Sequence, residues 1–374
     1  MNSKIWLSSP HMGGKEQQYI NKAFETNWIA PLGPNVTGFE KDLESYLGMN
    51  SHATALSSGT AAIHIALILL GIGPNDEVIC QSKTFAASAN PITYLGAKPV
   101  FVDSETETWN ISPELLEKAI KDRIAKNKKP KAIITVHLYG MPYLVADIHK
   151  IASDYEIPII EDSAEALGSS FSNQKCGTFG FISVLSFNGN KIITTSGGGA
   201  IITKDKSLNE RALFLATQAR DNAAEYHHST IGYNYRMSNV LAGIGRGQMK
   251  VLDERVQQRR SNYQTYHDQL NFIDKIAFLN EPPNYKSNRW LTCFLLDSEK
   301  TREGLRIYLE KLNIESRPLW KPMHLQPIYK NSPAYTNGVS SDLFKRGLCI
   351  PSGSNLTEDE INRVILAIKM YFRV

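Results

Sequence analysis

The sequence predicts an α/β protein in which a mostly parallel sheet is flanked by helices, followed by a smaller α+β domain. Two observations carry this prediction. Short apolar runs alternate with helical stretches through the first half of the chain, which is the rhythm of βαβ units. In addition, 374 residues exceed the usual size of one hydrophobic core. We expect residues 1–248 to form the large domain and residues 249–374 the small one.

Composition limits the classes of partner. The chain has 41 basic and 37 acidic residues, a balance that does not indicate a nucleic-acid partner without a concentrated basic patch. Its four cysteines are scattered without the spacing of a zinc site or a disulfide framework. No stretch approaches the ~20 apolar residues of a membrane span, and the N-terminus lacks the apolar core of a signal peptide. We therefore expect a cytoplasmic protein without metal, membrane or nucleic-acid partners.

The first strand-to-helix turn predicts a phosphate site. Helices are expected over 14–27 and 37–47, because the intervening NWIAPLGP contains two prolines and a glycine and must be a loop. A strand at 54–56 then turns through Ser-Gly-Thr into a helix. Gly59 and Thr60 would present free N–H groups and a hydroxyl at the positive end of that helix. The alternative is ordinary helix capping.

The alternation of strands and helices continues towards the middle of the chain. The periodicity predicts a helix at 61–70, a strand at 77–81, a helix at 85–95, a strand at 99–102, a helix at 113–125 after the capping Ser112, a strand at 132–137, a helix at 145–155 and a strand at 157–160. Phe85 follows a strand at the edge where ligands bind in such sheets, so its ring could stack on a flat heterocycle. A core phenylalanine is the alternative.

Two carboxylates follow the strand at 157–160. A carboxylate at the mouth of a parallel sheet is costly unless it is paired, and a protonated pyridine nitrogen is a suitable partner for Asp162. Glu165 lies about one helical turn further on and could reach a cofactor hydroxyl or the substrate. The alternative for Asp162 is a helix N-cap, since DSAEAL reads as a helix start.

A lysine follows the apolar run 181–187, within the segment SFNGNKIITTSGGGA. Burying a charged lysine is costly, so Lys191 calls for a chemical role, and a Schiff base with pyridoxal phosphate (PLP) is one. A surface lysine in a glycine-rich turn is the alternative. Together the strand ends present a phosphate turn, an aromatic ring, a carboxylate and this lysine. This order favours PLP, and neither a dinucleotide fingerprint after a strand nor a P-loop motif occurs.

Longer segments carry a family resemblance: LSSPHMGG, NWIAPLGPNVTGFE, LSSGTAAIHIAL, KTFAASANPI, VHLYGMP, IEDSAEALGS, SFNGNKIITTSGGGA, GYNYRMSNVLAGIGRGQM, SNRW, SRPLWKPMHLQP and PSGSNLT. In these the chain resembles the DegT/DnrJ/EryC1/StrS sugar aminotransferases over nearly its whole length. Several segments look closest to the branch that aminates UDP-4-keto-6-deoxy-N-acetylglucosamine on the route to N-acetylbacillosamine. The resemblance implies the fold-type I, aspartate aminotransferase-like architecture.

The resemblance also implies roles for individual residues. Phosphate binding falls to Gly59, Thr60 and Ser186, ring stacking to Phe85, the pyridine contact to Asp162 and the Schiff base to Lys191. Glu165 stands where the wider family often has glutamine. Substrate contacts are implied for Arg317, Trp320, Lys321 and His324; two cations suit a diphosphate, whereas core packing explains Trp320 equally well.

A long polar loop follows the helix expected at 208–217. By resemblance, Asn234 reaches the cofactor phosphate of a second subunit, which implies a homodimer with shared active sites. A single long helix is expected at 239–259, leading into the small domain, and a terminal helix at 358–371.

The expected reaction is a ping-pong transfer of an amino group from an amino acid, by resemblance L-glutamate, to C4 of a nucleotide-linked 4-keto-6-deoxy sugar. The alternatives are amination at C3 or of a dTDP- or GDP-linked sugar, and a PLP-free regulatory or scaffolding protein on the same fold. The presence of Lys191 disfavours the dehydratase branch of the family, in which histidine replaces the lysine.

Overall fold

The computed structural model describes residues 3–374, in which helices and strands alternate up to residue 203. The helices are α1 (Glu16–Glu25), α2 (Pro34–Leu47), α3 (Gly59–Leu69), α4 (Ala86–Tyr94), α5 (Pro113–Ala125), α6 (Val145–Asp154), α7 (Lys206–Ala216), α8 (Asn239–Met249), α9 (Leu252–Leu270), α10 (Glu299–Lys311), α11 (Val339–Arg346) and α12 (Glu358–Phe372). The strands are β1 (His52–Leu56), β2 (Glu77–Gln81), β3 (Lys98–Val102), β4 (Ala132–Val136), β5 (Ile159–Asp162), β6 (Ser170–Phe171), β7 (Gln174–Lys175), β8 (Ile182–Ser186), β9 (Gly199–Thr203), β10 (Ile276–Phe278), β11 (Tyr285–Lys286), β12 (Thr292–Leu296), β13 (Arg317–Pro318), β14 (Ala334–Tyr335) and β15 (Gly347–Ile350).

The large sheet has the strand order β1-β9-β8-β5-β4-β2-β3-β14. Strand β9 runs antiparallel to both of its neighbours, and every other neighbouring pair is parallel. This architecture confirms the predicted α/β class. The carboxyl ends of β1, β2, β5 and β8 consequently meet at one edge of the sheet, which is where ligands bind in open parallel sheets.

The middle strands of the large sheet are buried because helices cover both faces. All five residues of β2 and of β4 are buried, which accounts for the continuous apolar runs in the sequence. The hydrophobic core on one face of the sheet contains Ile63 of α3 and Ile134 of β4. A separate core on the other face contains Ile120 of α5 and Ile133 of β4. Neighbouring residues of β4 thus pack into opposite layers.

A second sheet of four strands, in the order β10-β12-β15-β13, is antiparallel throughout. Its core contains Phe294 and Leu305 and also Ile5, whose backbone pairs with Ile314. In the other direction, β14 returns to the large sheet beside β3. An N-terminal residue thus packs with the second sheet, and a C-terminal strand belongs to the large one. The predicted domain boundary at residue 248 remains an interpretation.

Two predicted helices differ from the structure. The long helix expected at 239–259 is divided into α8 and α9 at Val251, whose ψ of 7° is not helical. Helix α2 begins at Pro34, three residues earlier than expected. There the carboxamide oxygen of Asn239 accepts hydrogen bonds from the N–H groups of Asn35 and Val36 and so caps the helix from outside. Within residues 3–374, no helix is both long and apolar enough to cross a membrane.

Candidate active site

A cavity of about 280 Å³ opens at the carboxyl edge of the large sheet. Most of the residues predicted for the site line it together: Gly59, Thr60, Phe85, Asp162, Glu165, Ser186, Lys191 and Trp320. Their positions follow from the topology, because each of the first seven lies at or shortly beyond the end of a strand. The fold thereby brings residues more than 100 positions apart in the sequence into one site.

One end of the cavity has the geometry of an anion site. The Ser58 hydroxyl caps α3 by accepting a hydrogen bond from Ala61 N at 3.0 Å, so Gly59 and Thr60 open the helix with amides that have no intrahelical acceptor. Ser186 faces this turn from the end of β8. A Cβ added to Gly59 would lie 3.1 Å from Ser186 Cβ, so glycine lets these two elements approach. The free amides, hydroxyls and positive helix end together suit a phosphate.

Asp162 presents a buried carboxylate in the middle of the cavity. It accepts hydrogen bonds from Ser88 Oγ at 2.6 Å and from Ala164 N at 3.1 Å. Burial raises the pKa of Asp162, and these hydrogen bonds and the Lys191 charge oppose that effect. An added positive group would therefore be stabilised here. Ser88 was missed by the sequence analysis, since a serine inside a predicted helix carries no signal of its own.

Lys191 and Glu165 form an ion pair, with Nζ 3.3 Å from Oε1. The other oxygen of Glu165 accepts a hydrogen bond from Tyr139 N at 2.7 Å. Burial raises the pKa of Glu165 to about 7, although the nearby lysine opposes the rise. Glu165 can accordingly hold or release a proton beside the lysine near neutral pH.

Aromatic rings form the opposite wall. Phe85 and Trp320 have ring centroids 5.4 Å apart, and Trp290 lies 6.2 Å from Trp320. The indole of Trp290 also faces Lys191, with Nζ 4.2 Å from the ring centroid. Trp290 was given no role in the sequence analysis, although it ends the SNRW segment. Its position beside the lysine depends on contacts between segments about 100 residues apart in the sequence, and no local pattern reveals such contacts.

Glu161, the neighbour of Asp162 on β5, points away from the cavity into the core. It is buried, and its oxygens accept hydrogen bonds from His137 Nε2 at 2.7 Å, Gly177 N at 2.6 Å and Ser183 Oγ at 2.7 Å. Burial would raise the pKa of Glu161, but the hydrogen bonds from His137 and Gly177 hold it at about 2. Because neighbouring strand residues face opposite sides, Glu161 anchors the strand while Asp162 serves the cavity.

Three of the predicted substrate contacts do not line the cavity. Arg317 is exposed and pairs with Glu315 at 2.9 Å, Lys321 is exposed, and His324 Nδ1 lies 2.6 Å from Ser82 Oγ. Asn234 is also exposed and outside the cavity, where its backbone pairs with Thr217. The roles of these four residues stay predictions.

The residues present fit PLP. The helix end with Ser186 would hold its phosphate, Phe85 its ring face, Asp162 its pyridine nitrogen and Lys191 its aldehyde. The glycine cradle at Gly59 and the buried carboxylate of Asp162 are the two features that a phosphate and a pyridinium require.

The comparisons with known proteins agree. The sequence profile of the DegT/DnrJ/EryC1/StrS aminotransferase family matches residues 10–369. EpsN of Bacillus subtilis (strain 168), which carries a provisional name as a pyridoxal phosphate-dependent aminotransferase, is 50% identical over 369 residues, covering 98% of this chain and 95% of EpsN. GDP-perosamine synthase of Escherichia coli O157:H7 is 36% identical over 368 residues, covering 98% of both chains.

Solved structures extend the agreement to the fold. The crystal structure of a DegT DnrJ EryC1 StrS aminotransferase from Brucella abortus superposes with a TM-score of 0.90 at 31% identity, covering 96% of this chain and 95% of the other. Both the architecture and the cofactor expected from the sequence are thereby confirmed. The chain belongs to the DegT/DnrJ/EryC1/StrS aminotransferase family and is a PLP-dependent sugar aminotransferase.

Proposed function

We propose that this enzyme transfers an amino group from L-glutamate to C4 of a nucleotide-linked 4-keto-6-deoxy sugar, with UDP-4-keto-6-deoxy-N-acetylglucosamine as the substrate. The observation that carries the proposal is the cavity itself. A lysine, a buried carboxylate and a phosphate cradle lie opposite a wall of aromatic rings. Aromatic faces are suited to covering the apolar face of a sugar or a base.

The predicted site residues divide the tasks of the proposed mechanism. Gly59, Thr60 and Ser186 bind the phosphate of PLP, and Phe85 covers one face of its ring. Asp162 faces the pyridine nitrogen and holds a proton on it. Bound PLP supplies an aldehyde that takes up the amino group and a ring that withdraws electrons from the donor's Cα.

Lys191 moves the proton. Its Nζ takes the proton from Cα of the amino donor, and it gives a proton to C4 of the sugar when the steps run in reverse. Glu165 accepts a hydrogen bond from the same Nζ at 3.3 Å and keeps the amine inside the cavity.

We further propose that a second copy of the chain completes the site with Asn234. The cavity residues assigned to the cofactor phosphate carry no charge, so a further hydrogen-bond donor from a second chain would strengthen phosphate binding. Asn234 lies in a loop with two strongly exposed apolar residues, Tyr226 and Ile231, which favours burial against another chain. The proposed location is the cytoplasm, in keeping with four free thiols.

A GDP-linked substrate is the second candidate, because relatives at 36% identity are named GDP-perosamine synthases. Purified enzyme should be incubated with L-glutamate and, in parallel, UDP-, GDP- and dTDP-linked 4-keto-6-deoxy sugars, followed by product identification by mass spectrometry and NMR. A 4-amino-4,6-dideoxy product from the UDP sugar alone is expected. Amination at C3, or preference for the GDP sugar, would contradict the proposed substrate.

A further inference from the structure

Trp290, in the aromatic wall of the cavity, is held in place by three hydrogen bonds. Its indole Nε1–H donates to the carbonyl oxygen of Asn190 at 2.7 Å, and its backbone N–H donates to Asn288 Oδ1 at 2.9 Å. Its own carbonyl oxygen accepts from Arg259, a buried guanidinium, at 2.5 Å. Because Asn190 precedes Lys191 in the chain, the indole is tied to the loop that carries the lysine.

The segment 287–290 connects this loop to the turn that carries Glu165. The Asn288 side chain donates hydrogen bonds to the carbonyl oxygens of Glu165 at 2.8 Å and Leu167 at 2.9 Å. A Cβ at Gly140 would lie 1.9 Å from Asn288 Oδ1, so only glycine admits this side chain. Arg289 has a φ of 52°, in the left-handed region, and this turn directs Asn288 and Trp290 to different loops.

We propose that Trp290 is a positioning residue whose indole face holds the Lys191 amine beside Glu165 whenever that amine is free of the cofactor. The lysine side chain is long and flexible, and it is free from its release in the first half-reaction until its recapture at the end of the second. Its Nζ lies 4.2 Å from the Trp290 centroid and 3.3 Å from Glu165 Oε1, so the ring and the carboxylate confine it from two directions. An ammonium over an indole face is attracted by the ring quadrupole.

The inference rests on the lysine chemistry of the family and is independent of the proposed sugar. The competing explanation is that Trp290 only fills space. The two explanations differ in what the ring's electrons contribute, so a ring of smaller area should preserve the effect and an aliphatic side chain of similar bulk should not.

The contact can be tested in cofactor-free protein by ¹⁹F NMR. All five tryptophans are replaced by 5-fluorotryptophan, and the Trp290 resonance is assigned from its loss in Trp290→Phe. Lys191→Met, which keeps the length and removes the charge, should shift the Trp290 resonance more than the others. Lys4→Met is the matched control, because Lys4 Nζ lies 4.0 Å over Trp6 on the surface and should move that resonance alone. A Trp290 resonance indifferent to Lys191→Met would overturn the proposal.

The consequence for proton movement is tested by single-turnover kinetics with L-glutamate and its α-deuterated form. Trp290→Leu should slow the turnover about tenfold, with an increased isotope effect and an unchanged binding constant for glutamate. The single-turnover rate of Trp290→Phe should stay within about threefold of the parent rate, and the rate of the control variant Trp6→Leu should equal the parent rate. Equal slowing in the Phe and Leu variants, with the parent's isotope effect, would mean that the residue only fills space. If the parent does not react with L-glutamate, the donor assignment fails, and the NMR result still decides the role of Trp290.

Discussion

The Ser88 hydroxyl, on helix α4 between β2 and β3, donates a hydrogen bond of 2.6 Å to Oδ2 of Asp162 at the end of β5. This bond lowers the pKa of a carboxyl that burial raises. Ser88 itself is fixed by Thr84, whose Oγ1 lies 2.7 Å from its Oγ. The ionisation of Asp162 therefore depends on a serine that lies beside it in the lining of the cavity.

Replacing Ser88 with alanine should raise the pKa of Asp162 further. The ionised form would then require a higher pH, so the acidic limb of the rate profile should move to higher pH, and the rate should fall about tenfold at neutral pH. The measurement is the half-reaction with L-glutamate as a function of pH. Thr93→Ala, which removes a hydroxyl from the same helix, should leave the profile unchanged. An unshifted pH profile in Ser88→Ala would show that Ser88 does not control the ionisation of Asp162.

Asp162→Asn should impair proton transfer more than cofactor binding. The phosphate cradle remains intact, whereas the pyridine nitrogen loses the charge that keeps it protonated, and a barrier higher by several kcal/mol costs about tenfold in rate for each ~1.4 kcal/mol. Cofactor affinity and half-reaction rates are to be measured on the same preparation. Rates near those of the parent would remove Asp162 from its assigned role.

Lys191→Ala should abolish turnover while the fold is retained. In the parent enzyme, borohydride reduction followed by peptide mapping should place the pyridoxyl group on Lys191. Lys83 is a demanding internal control, because it is also buried and burial lowers the pKa of its amine to about 7. Label on Lys83 or any other lysine would show that the central assignment is wrong.

Glu165→Gln should change how the stability of the cofactor-free protein depends on pH. The pKa of Glu165 is raised from 4.5 to about 7 in the folded state, so its contribution to stability is fully present below pH 4.5 and is lost as the pH rises through 7. Glutamine cannot lose a proton. The variant should therefore gain relative stability between pH 5 and 8, by at most about 3 kcal/mol.

Urea unfolding of the parent and the variant at pH 5 and at pH 8 measures this change in relative stability. Glu25→Gln, at an exposed position, serves as the control. An identical pH dependence in the parent and in Glu165→Gln would show that the carboxyl ionises normally.

Mixing two inactive variants tests the shared site. Lys191→Ala subunits and Asn234→Asp subunits should each be impaired alone, the second because an added carboxylate repels the phosphate. In a mixed dimer one site would have both defects and the other neither, so activity should partly return in proportion to the mixed dimers formed. If a tag pull-down shows mixed dimers and no activity returns, Asn234 serves its own subunit.

Local pattern was sufficient where an element depends on its own residues. The strand at Glu77–Gln81 and the helix at Pro113–Ala125 have the predicted bounds, since apolar runs and a serine cap are signals within the segment. Helix α2 began earlier than predicted because its cap comes from Asn239. The break before α9 was missed because no proline or glycine stands at Lys250 or Val251, so the helical periodicity continues across it.

The same distinction applies to the site. Residues that end strands were predicted because a parallel sheet brings strand ends together, whatever the intervening chain. Ser88 and Trp290 were missed because each contacts residues that are distant in the sequence. A pattern read along the chain gives spacing and does not reveal such long-range contacts.

Strands β8 and β9 pair from Ser183 with Ile202 to Ser186 with Gly199, so the lysine loop closes a hairpin within the large sheet. Every cavity residue that would hold the cofactor precedes this hairpin or lies in it, whereas the segment after residue 286 supplies only Trp290 and Trp320. Exchange of the chain beyond residue 286 would therefore replace two of the three aromatic rings, including the indole over Lys191, and keep the residues that would hold the phosphate, the ring and the pyridine nitrogen of the cofactor.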